Sequence, residues 1–361
     1  MTIFLLLLLF VYTYSYKRLT KPGSNTYKFK GNFYWKIGRS KDFKQNELKR
    51  HIFDDLPLCI YRDKHYNLTA ISDICIHRGA SLSRGQLLHN NCLQCPYHGW
   101  EYEEGVVQNV PGCPDLKNTF GAPNFLIEEK NGDVFLCPTY DKISKKGFYP
   151  ECDIFIPPEA NDISFSKISG SKKINRPFNL VTENVLDIMH ISYVHSFGNS
   201  LSPVPFELKY ENINNYSGKT TFYYTAGPTS MSSILGNVKY VKVENEFYLP
   251  DTTVTRVFAG PLVKTIVTNA YPIGKNESIF HYDLYRNFLT FPVFDSLFYT
   301  QMEITLNEDI DILNGIYDDY IKGLMNTKFD VTQLKYREKW NRYFMNEEKY
   351  LLNKNNTKKH V

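Results

Sequence analysis

The spacing of apolar and polar residues changes character three times along the chain. Ile3 to Tyr16 is an uncharged apolar run, and Lys17, Arg18 and Lys21 follow it at once. From Phe33 to about Leu136 the apolar runs are short. "LPLCIYR" and "YNLTAIS" flank the polar break "DKHYN", as in a β-hairpin, and Gly79, Gly85, Gly99, Gly105 and Gly112 punctuate the stretch. This predicts a small all-β domain that leaves little room for helices. Between about 205 and 290 come longer strand-like runs: "TTFYYTAG", "KVENEFYL", "TTVTRVFAG", "KTIVTNAY" and "SIFHYDLYRNF". Residues 295–322 then read as a long helix and "VTQLKYREKWNRYF" as a last one, with residues 165–195 as a bridge into this region. Strands closed by helices predict an α+β domain, its antiparallel sheet covered by helices on one face. The expected divisions are 1–30 for a hydrophobic anchor and linker, 31–150 for the all-β domain, 151–350 for the α+β domain and 351–361 for a polar tail.

The opening run carries its own question. Fourteen helical residues reach about 21 Å, short of a ~30 Å hydrocarbon core. A retained anchor would thin the bilayer and seat Tyr12, Tyr14 and Tyr16 at the interface. The rival is a cleaved signal peptide, but the basic leading region and small-residue cleavage site of such peptides are missing. The expectation is a retained anchor, with the positive flank holding the main body in the cytosol.

Composition narrows the class. The 361 residues suffice for two domains, and a net charge of +4 is too mild to argue for nucleic acid. Tyr and Phe, 27 and 25 of them, are plentiful enough to wall a buried site. Seven cysteines, an odd number in a long chain, do not read as a disulfide scaffold, and a reducing compartment fits them better. There is no GxGxxG and no P-loop, so no flavin or nucleotide module is evident.

The chemistry concentrates in two stretches. In the first, Cys75-Ile76-His77 and Cys95-Pro96-Tyr97-His98 each supply one thiolate and one imidazole from a tight, glycine-flanked loop. Two cysteines on one iron and two histidines on the other make a Rieske [2Fe–2S] centre. A Cys₂His₂ zinc site uses the same ligand types, but usually pairs Cys with Cys and His with His. Cys92-Leu-Gln-Cys95 is a further candidate, as a CxxC pair. Four unrelated residues is the plainest alternative. The loops "CIHRGASLSRG" and "CPYHGWEYEEG", preceded by "FYWKIGRSKDF", resemble those of the Rieske domain in Rieske-type non-haem iron oxygenases. In that reading Trp100 and Tyr97 shield the cluster.

The second stretch is "TENVLDIMHISYVH", residues 182–195. At about 100° per residue, Asn184, Asp187 and His190 share a helical face, while His195 lies about 140° further round. A straight helix cannot aim both histidines at one ion, so it must bend or end between them. Two core histidines on a buried polar helix is the alternative. The spacing Asn-x-x-Asp-x-x-His-x-x-x-x-His resembles the mononuclear-iron motif of the same oxygenases. A facial triad needs one carboxylate more. In "QMEITLNEDIDILNGI", Met302, Leu306, Ile312, Leu313 and Ile316 form an apolar stripe that includes Asp309, whereas Glu308, Asp311 and Asp318 fall nearer the polar side. The family draws its third ligand from the start of a late helix, which makes Asp309 the choice over a plain surface acid.

The resemblance, closest in kind to the membrane-anchored sterol 7-desaturases and chlorophyll-catabolic oxygenases, implies the rest. The chain would be a terminal oxygenase α-subunit holding a [2Fe–2S] cluster on Cys75, His77, Cys95 and His98. Fe(II) would sit on His190, His195 and Asp309, with O₂ as co-substrate. Asp187 would link the two centres across subunits of a head-to-tail homotrimer, beside Asn184. A separate ferredoxin or flavin reductase would bring electrons from NAD(P)H. A small hydrophobic substrate, a sterol or other lipid, would be hydroxylated, desaturated or demethylated between the strands and the Asp309 helix, against aromatics such as Phe222, Tyr223, Phe247 and Tyr282. The alternative is a Rieske electron-transfer protein without oxygenase activity.

Overall fold

A computed structural model describes residues 32–118, 120–141, 150–228, 230–317 and 325–344. The expected anchor and linker, the polar tail and Asp318 lie outside them. Among the described residues no helix is long and apolar enough to cross a membrane. The chain divides into two compact units between Glu151 and Cys152.

The first unit is all β. A six-stranded antiparallel sheet is built from β1 (Trp35–Arg39), β2 (Lys49–Phe53), β3 (Leu56–Arg62), β4 (Leu68–Ser72), β9 (Asn124–Lys130) and β10 (Asp133–Asp141), in the order β1-β10-β9-β4-β3-β2. The chain between β4 and β9 folds into a second sheet of four short strands, β5 (Gln86–Leu87), β6 (Leu93–Gln94), β7 (Glu101–Glu103) and β8 (Val106–Asn109). Both β-rich runs around "DKHYN" are strands, and β3 pairs with β4 as the hairpin predicted. Cys59, Tyr61, Ile71, Leu82, Leu93, Tyr102 and Val107 pack into one core. Cys75 and Cys95 belong to the same core, so the loops that carry them rest on a rigid floor.

The second unit is α+β. Its seven strands are β11 (Ser166–Ile174), β12 (Phe206–Asn212), β13 (Ser217–Thr225), β14 (Tyr240–Tyr248), β15 (Thr252–Ala259), β16 (Leu262–Gly274) and β17 (Glu277–Arg286). They form one antiparallel sheet, ordered β11-β17-β16-β15-β14-β13-β12. The expected bridge 165–195 is therefore partly sheet. Ser166–Ile174 alternates weakly, "SKISGSKKI", because β11 is an edge strand with a polar outer face. The chain enters at one edge, crosses to the other, and meanders back. The crossing is made by helices α1 (Phe178–Leu186) and α2 (Ile191–Val194), and α1 packs over β14 to β17. After a short α3 (Met231–Ile234) and the meander, α4 (Asp295–Gly315) and α5 (Val331–Phe344) close the fold.

Phe298, Met302, Leu306 and Leu313 form the buried stripe of α4, packed on Leu180, Phe280, Tyr282 and Leu284. Each such side chain contributes about 1.5–3 kcal/mol by leaving water. Ile312, expected in that stripe, is instead 48% exposed. The crossing segment and α4 thus lie close together, α2 against α4, and that proximity builds the second site.

Candidate metal centres

The two Cys-containing turns repeat each other. The Cys75 N–H donates to the Ala80 carbonyl and the Gly79 N–H to the Cys75 carbonyl. The Cys95 N–H donates to the Trp100 carbonyl and the Gly99 N–H to the Cys95 carbonyl. Gly79 and Gly99 have φ of +72° and +70°, a left-handed conformation that closes the turn and strains any side chain with a Cβ. The turns leave both cysteines 2% exposed and both histidines at the surface. The Cys75 and Cys95 thiols interact with each other, and the His77 and His98 rings lie 4.5 Å apart. The donors therefore split into a buried sulfur pair and an outer imidazole pair. That is the donor set of a cluster with two cysteines on one iron and two histidines on the other.

Neighbours hold this arrangement. The Tyr102 hydroxyl lies 3.1 Å from Cys75 Sγ and is buried, a contact that no local spacing announced. Burial pushes the Cys75 thiol up, and Tyr102 opposes that rise. Trp100 stacks on His77 at 4.9 Å, as expected of a shield. Tyr97 sits 3.7 Å from its neighbour His98 yet is itself 64% exposed, so it covers little. Cys92 does not pair with Cys95. Leu93 and Gln94 between them are extended, which turns residues an odd number apart to opposite faces. None of the seven cysteines is in a disulfide.

The second site is assembled from distant pieces. α1 stops at Leu186, Asp187 is extended, and the chain restarts in the one-turn α2, flanked by His190 and His195. A helix thus ends between the two histidines, as expected, at Val194 before an extended His195, and a further break at Asp187 means that Asn184, Asp187 and His190 do not share one helical face. The Asp187 carboxylate accepts the backbone N–H groups of Met189 and His190 at 2.8 and 3.2 Å, which starts the new turn. Burial alone would raise that carboxyl, but His190 and these N–H groups outweigh it and hold it below the usual value.

Three donors then converge. His190 Nε2 and His195 Nε2 are 3.2 Å apart, and Asp309 Oδ1 lies 3.5 and 3.7 Å from them. Metal–nitrogen distances of roughly 2.1 Å place ligands at right angles about 3 Å apart, so these separations suit a single ion. Among the described residues this is the one group of three donors close enough to hold one. The outer ring nitrogens are fixed. His190 Nδ1 is 2.9 Å from the Asp187 carbonyl and His195 Nδ1 is 3.0 Å from Glu308 Oε2. Both partners accept, so each Nδ1 carries the proton and each Nε2 turns a lone pair inward. Two facing lone pairs beside a carboxylate call for a cation. Burial works against a charge on His190, but Asp187 and Asp309 raise it to about 9, and a metal ion would replace that proton. The Asn184 amide donates to Asp309 Oδ1 at 2.9 Å.

Asp309 comes from beyond the middle of α4, about four turns after its start at Asp295. Glu308, expected on the polar side, is half-buried, and its other oxygen accepts the Ser196 N–H at 3.1 Å. The sequence held one hint, a second acid beside Asp309. Asp311 is exposed.

A cavity of about 140 Å³ opens beside the three donors. Phe222, Val243 and Val257 of the sheet and Met302 and Leu306 of α4 line it, together with Lys264. Of the four aromatics expected there, only Phe222 does. Tyr223 follows it on the strand and faces the other way, Phe247 packs on Tyr336, and Tyr282 lies in the core under α4.

Residues 33–120 match the Rieske [2Fe-2S] domain family, and residues 174–343 match the vanillate O-demethylase oxygenase C-terminal domain family. The oxygenase component of dicamba O-demethylase from Stenotrophomonas maltophilia is 28% identical over 46% of this chain and 48% of its own length. Cholesterol 7-desaturase nvd 1 of Ciona intestinalis is 22% identical over 74% of this chain and 54% of its own length. The chain spans about half the length of these curated relatives. The crystal structure of dicamba monooxygenase bound to dicamba shares the fold, with a TM-score of 0.73 over 88% of this chain and 98% of that one, at 18% identity. With both domains matched in order and the donors of each brought together, the chain belongs to the Rieske-type non-haem iron oxygenases.

Proposed function

We propose that this protein is the terminal oxygenase of an electron-fed pair. It uses O₂ to hydroxylate, desaturate or demethylate a hydrophobic substrate. The observation that carries the reading is the convergence of His190, His195 and Asp309 on one point at the edge of a mainly apolar cavity. In this reading Cys75, His77, Cys95 and His98 hold the [2Fe–2S] cluster, and His190, His195 and Asp309 hold Fe(II). When bound, the cluster delivers electrons singly and the ferrous ion activates O₂.

The chain's own residues supply geometry and dryness. The Asp187 carbonyl and the Glu308 carboxylate keep the protons of His190 and His195 on Nδ1, which leaves Nε2 free for the metal. Asn184 orients the Asp309 carboxylate through its amide. Phe222, Val243, Val257, Met302 and Leu306 keep water from the reacting face. The Asp187 side chain, 32% exposed, is the group that would reach a histidine of a neighbouring subunit's cluster. This is the sense in which a head-to-tail homotrimer is part of the reading. Asp187→Ala is expected to keep both metals and lose turnover, and normal turnover in that variant would defeat the inter-subunit route.

A separate ferredoxin or flavin reductase would supply the electrons. The apolar run Ile3–Tyr16 and its basic flank support a membrane anchor that brings the enzyme to a lipid-dissolved substrate, with the body on the cytosolic side. The relatives named for sterol and for dicamba chemistry span neutral lipid and small-molecule substrates alike. The 140 Å³ of this open cavity matches a single ring more closely than a whole sterol, so most of a larger body would project through the mouth. Metal analysis tests the core of the proposal. About three irons per chain are expected for the oxygenase, and about two for an electron carrier. Reduced protein incubated with a lipid extract and then given labelled O₂ should yield labelled or dehydrogenated products.

A further inference from the structure

The two ends of the second unit's sheet differ in character. β13 stops at Thr225, opposite the start of β14 at Tyr240. β15 stops at Ala259, opposite Leu262 of β16, and β17 stops at Arg286, opposite Lys264. The stretches 226–238, 257–263 and 287–294 therefore meet at one end of the sheet. None of the three contains a charged residue, in a chain of which 22% is charged. The β16–β17 hairpin at the opposite end carries Lys275 and Glu277.

Large apolar side chains project from the uncharged end. Ile234 and Leu235 at the tip of α3, Phe291 and Val293 before α4, and Leu297 in its first turn are 45–75% exposed. The stretches brace one another. Asn287 Nδ2 donates to the Pro261 carbonyl at 3.0 Å, and the Val263 N–H donates to Asn287 Oδ1 at 2.8 Å. Gly236 comes so near the second stretch that a Cβ on it would lie 2.8 Å from the Ala259 Cβ. Polar groups turn back onto the chain. Ser230 Oγ accepts the Ser233 N–H, and the Ser233 hydroxyl donates to the Gly227 carbonyl. Asp295, the acid that follows the third stretch, is paired with Arg286.

Such an end offers apolar surface with its hydrogen bonds already made. A protein partner uses roughly one hydrogen bond per 100–200 Å² of contact. A bilayer needs none, and it penalises polar groups left unsatisfied. Beside the tips, Lys239 and Tyr240 are exposed, with Lys239 Nζ 5.2 Å from the centre of the Tyr240 ring. Tyr and Lys suit the headgroup level, where Lys also attracts anionic lipid. Residues 17–31, between the apolar run Ile3–Tyr16 and the first described residue Asn32, span at most roughly 50 Å when extended, so a bilayer holding that run stays within reach.

We propose that this end of the second unit docks into the surface of a lipid bilayer through Ile234, Leu235, Phe291, Val293 and Leu297. The docking rests on the reading of Ile3–Tyr16 as a retained anchor and goes beyond it, because it assigns the face that meets the lipid. Ser230 and Met231, which line the cavity, stand one turn before Ile234 and Leu235. A molecule dissolved in the bilayer then passes α3 towards His190, His195 and Asp309 without crossing bulk water.

Fluorescence quenching tests the orientation. Full-length protein carrying Leu235→Trp or Val293→Trp is bound to vesicles of phosphatidylcholine and phosphatidylserine, once with plain and once with brominated acyl chains, since bromine quenches tryptophan on contact. The emission of the unaltered protein, with its three native tryptophans, is subtracted. Each new tryptophan should lose about half or more of its emission, because a docked side chain lies about 5–10 Å deep. Ile213→Trp, exposed in the β12–β13 hairpin at the opposite end, should lose none. Adding Ile234→Glu and Phe291→Glu to Leu235→Trp should abolish the loss, while the vesicle-bound fraction and the melting temperature stay unchanged. Vesicle-bound protein in which Leu235→Trp and Val293→Trp ignore bromine overturns the docking and leaves the anchor standing. Emission already blue-shifted without lipid would then identify a second copy of the chain as the cover. Equal quenching of Ile213→Trp also overturns the docking, since the contact would have no direction. Protein that stays off the vesicles overturns docking and anchor together.

Discussion

The two candidate metal centres are built in opposite ways. The Cys75 and Cys95 turns are each complete within six residues, closed by their own backbone hydrogen bonds and a left-handed glycine. The His190, His195 and Asp309 site joins a broken crossing helix to the middle of α4, more than a hundred residues later. One centre is a property of local turns on a rigid floor, and the other exists only once the second unit has packed. The first should therefore tolerate damage elsewhere, and the second should feel it.

Removing a ligand from each gives the largest effect. Asp309→Ala should drop the protein from about three irons per chain to about two, with the cluster's absorbance unchanged and turnover lost. Cys95→Ala should abolish that absorbance and leave about one iron. If either variant emptied both sites, the two centres would not be the independent constructions described above.

A smaller effect is expected one step outwards. Glu308→Gln keeps the shape but weakens the acceptor for His195 Nδ1, and should cut iron affinity about 10–100-fold without touching the cluster. Metal competition with a chelator measures this, and an unchanged affinity would make Glu308 a bystander.

The packing that brings the second site together can be probed by pH. Glu159 accepts from Arg256 Nε at 2.5 Å and from the Thr265 hydroxyl at 2.8 Å, and Arg256 also reaches Glu246 at 2.7 Å. Burial alone would raise the Glu159 carboxyl, but Arg256, and then Thr265, hold it below its usual value. A depressed carboxylate adds stability above its unfolded value, about 4.3, and that stability is lost as pH falls through the folded value. Glu159→Gln should cost about 1.5–3 kcal/mol at pH 7 and flatten the acid limb of the unfolding curve. A variant with an unaltered acid limb would remove this network from the account.

The smallest expected effect is in the turns. Gly99→Ala places a Cβ no closer than 3.4 Å to Pro111, so its cost is backbone strain alone, about 1–2 kcal/mol. Denaturant unfolding measures that cost. Gly79→Ala, with nothing within 4 Å, should cost a similar amount. A large difference between the two would break the equivalence of the turns.

These contrasts explain what could be read before any coordinates. The strand runs in both units carried their signal in neighbouring residues, and β3, β13, β15 and β17 lie where the apolar runs are. The edge strand Ser166–Ile174 was missed because its exposed face blurs the alternation. The helix end between His190 and His195 was legible, but the earlier break at Asp187 was not, because the Asp187 side chain captures the Met189 and His190 N–H groups, a choice that periodicity does not encode. Tyr223, Phe247 and Tyr282 were assigned to the cavity by type alone, and strand alternation and helix packing turn them elsewhere.

The sequence alone determined the pair of Cys/His turns and the order of the two domains, since turn closure and strand alternation are settled by residues close in the chain. It also narrowed the donors of the second site to a few named residues. Only the tertiary structure decided that Glu308 backs His195, that Asn184 reaches Asp309, and that Lys264 lines a mainly apolar cavity. Those facts depend on which faces of α4, the crossing segment and the sheet meet, and that is set by burial of side chains distant in sequence.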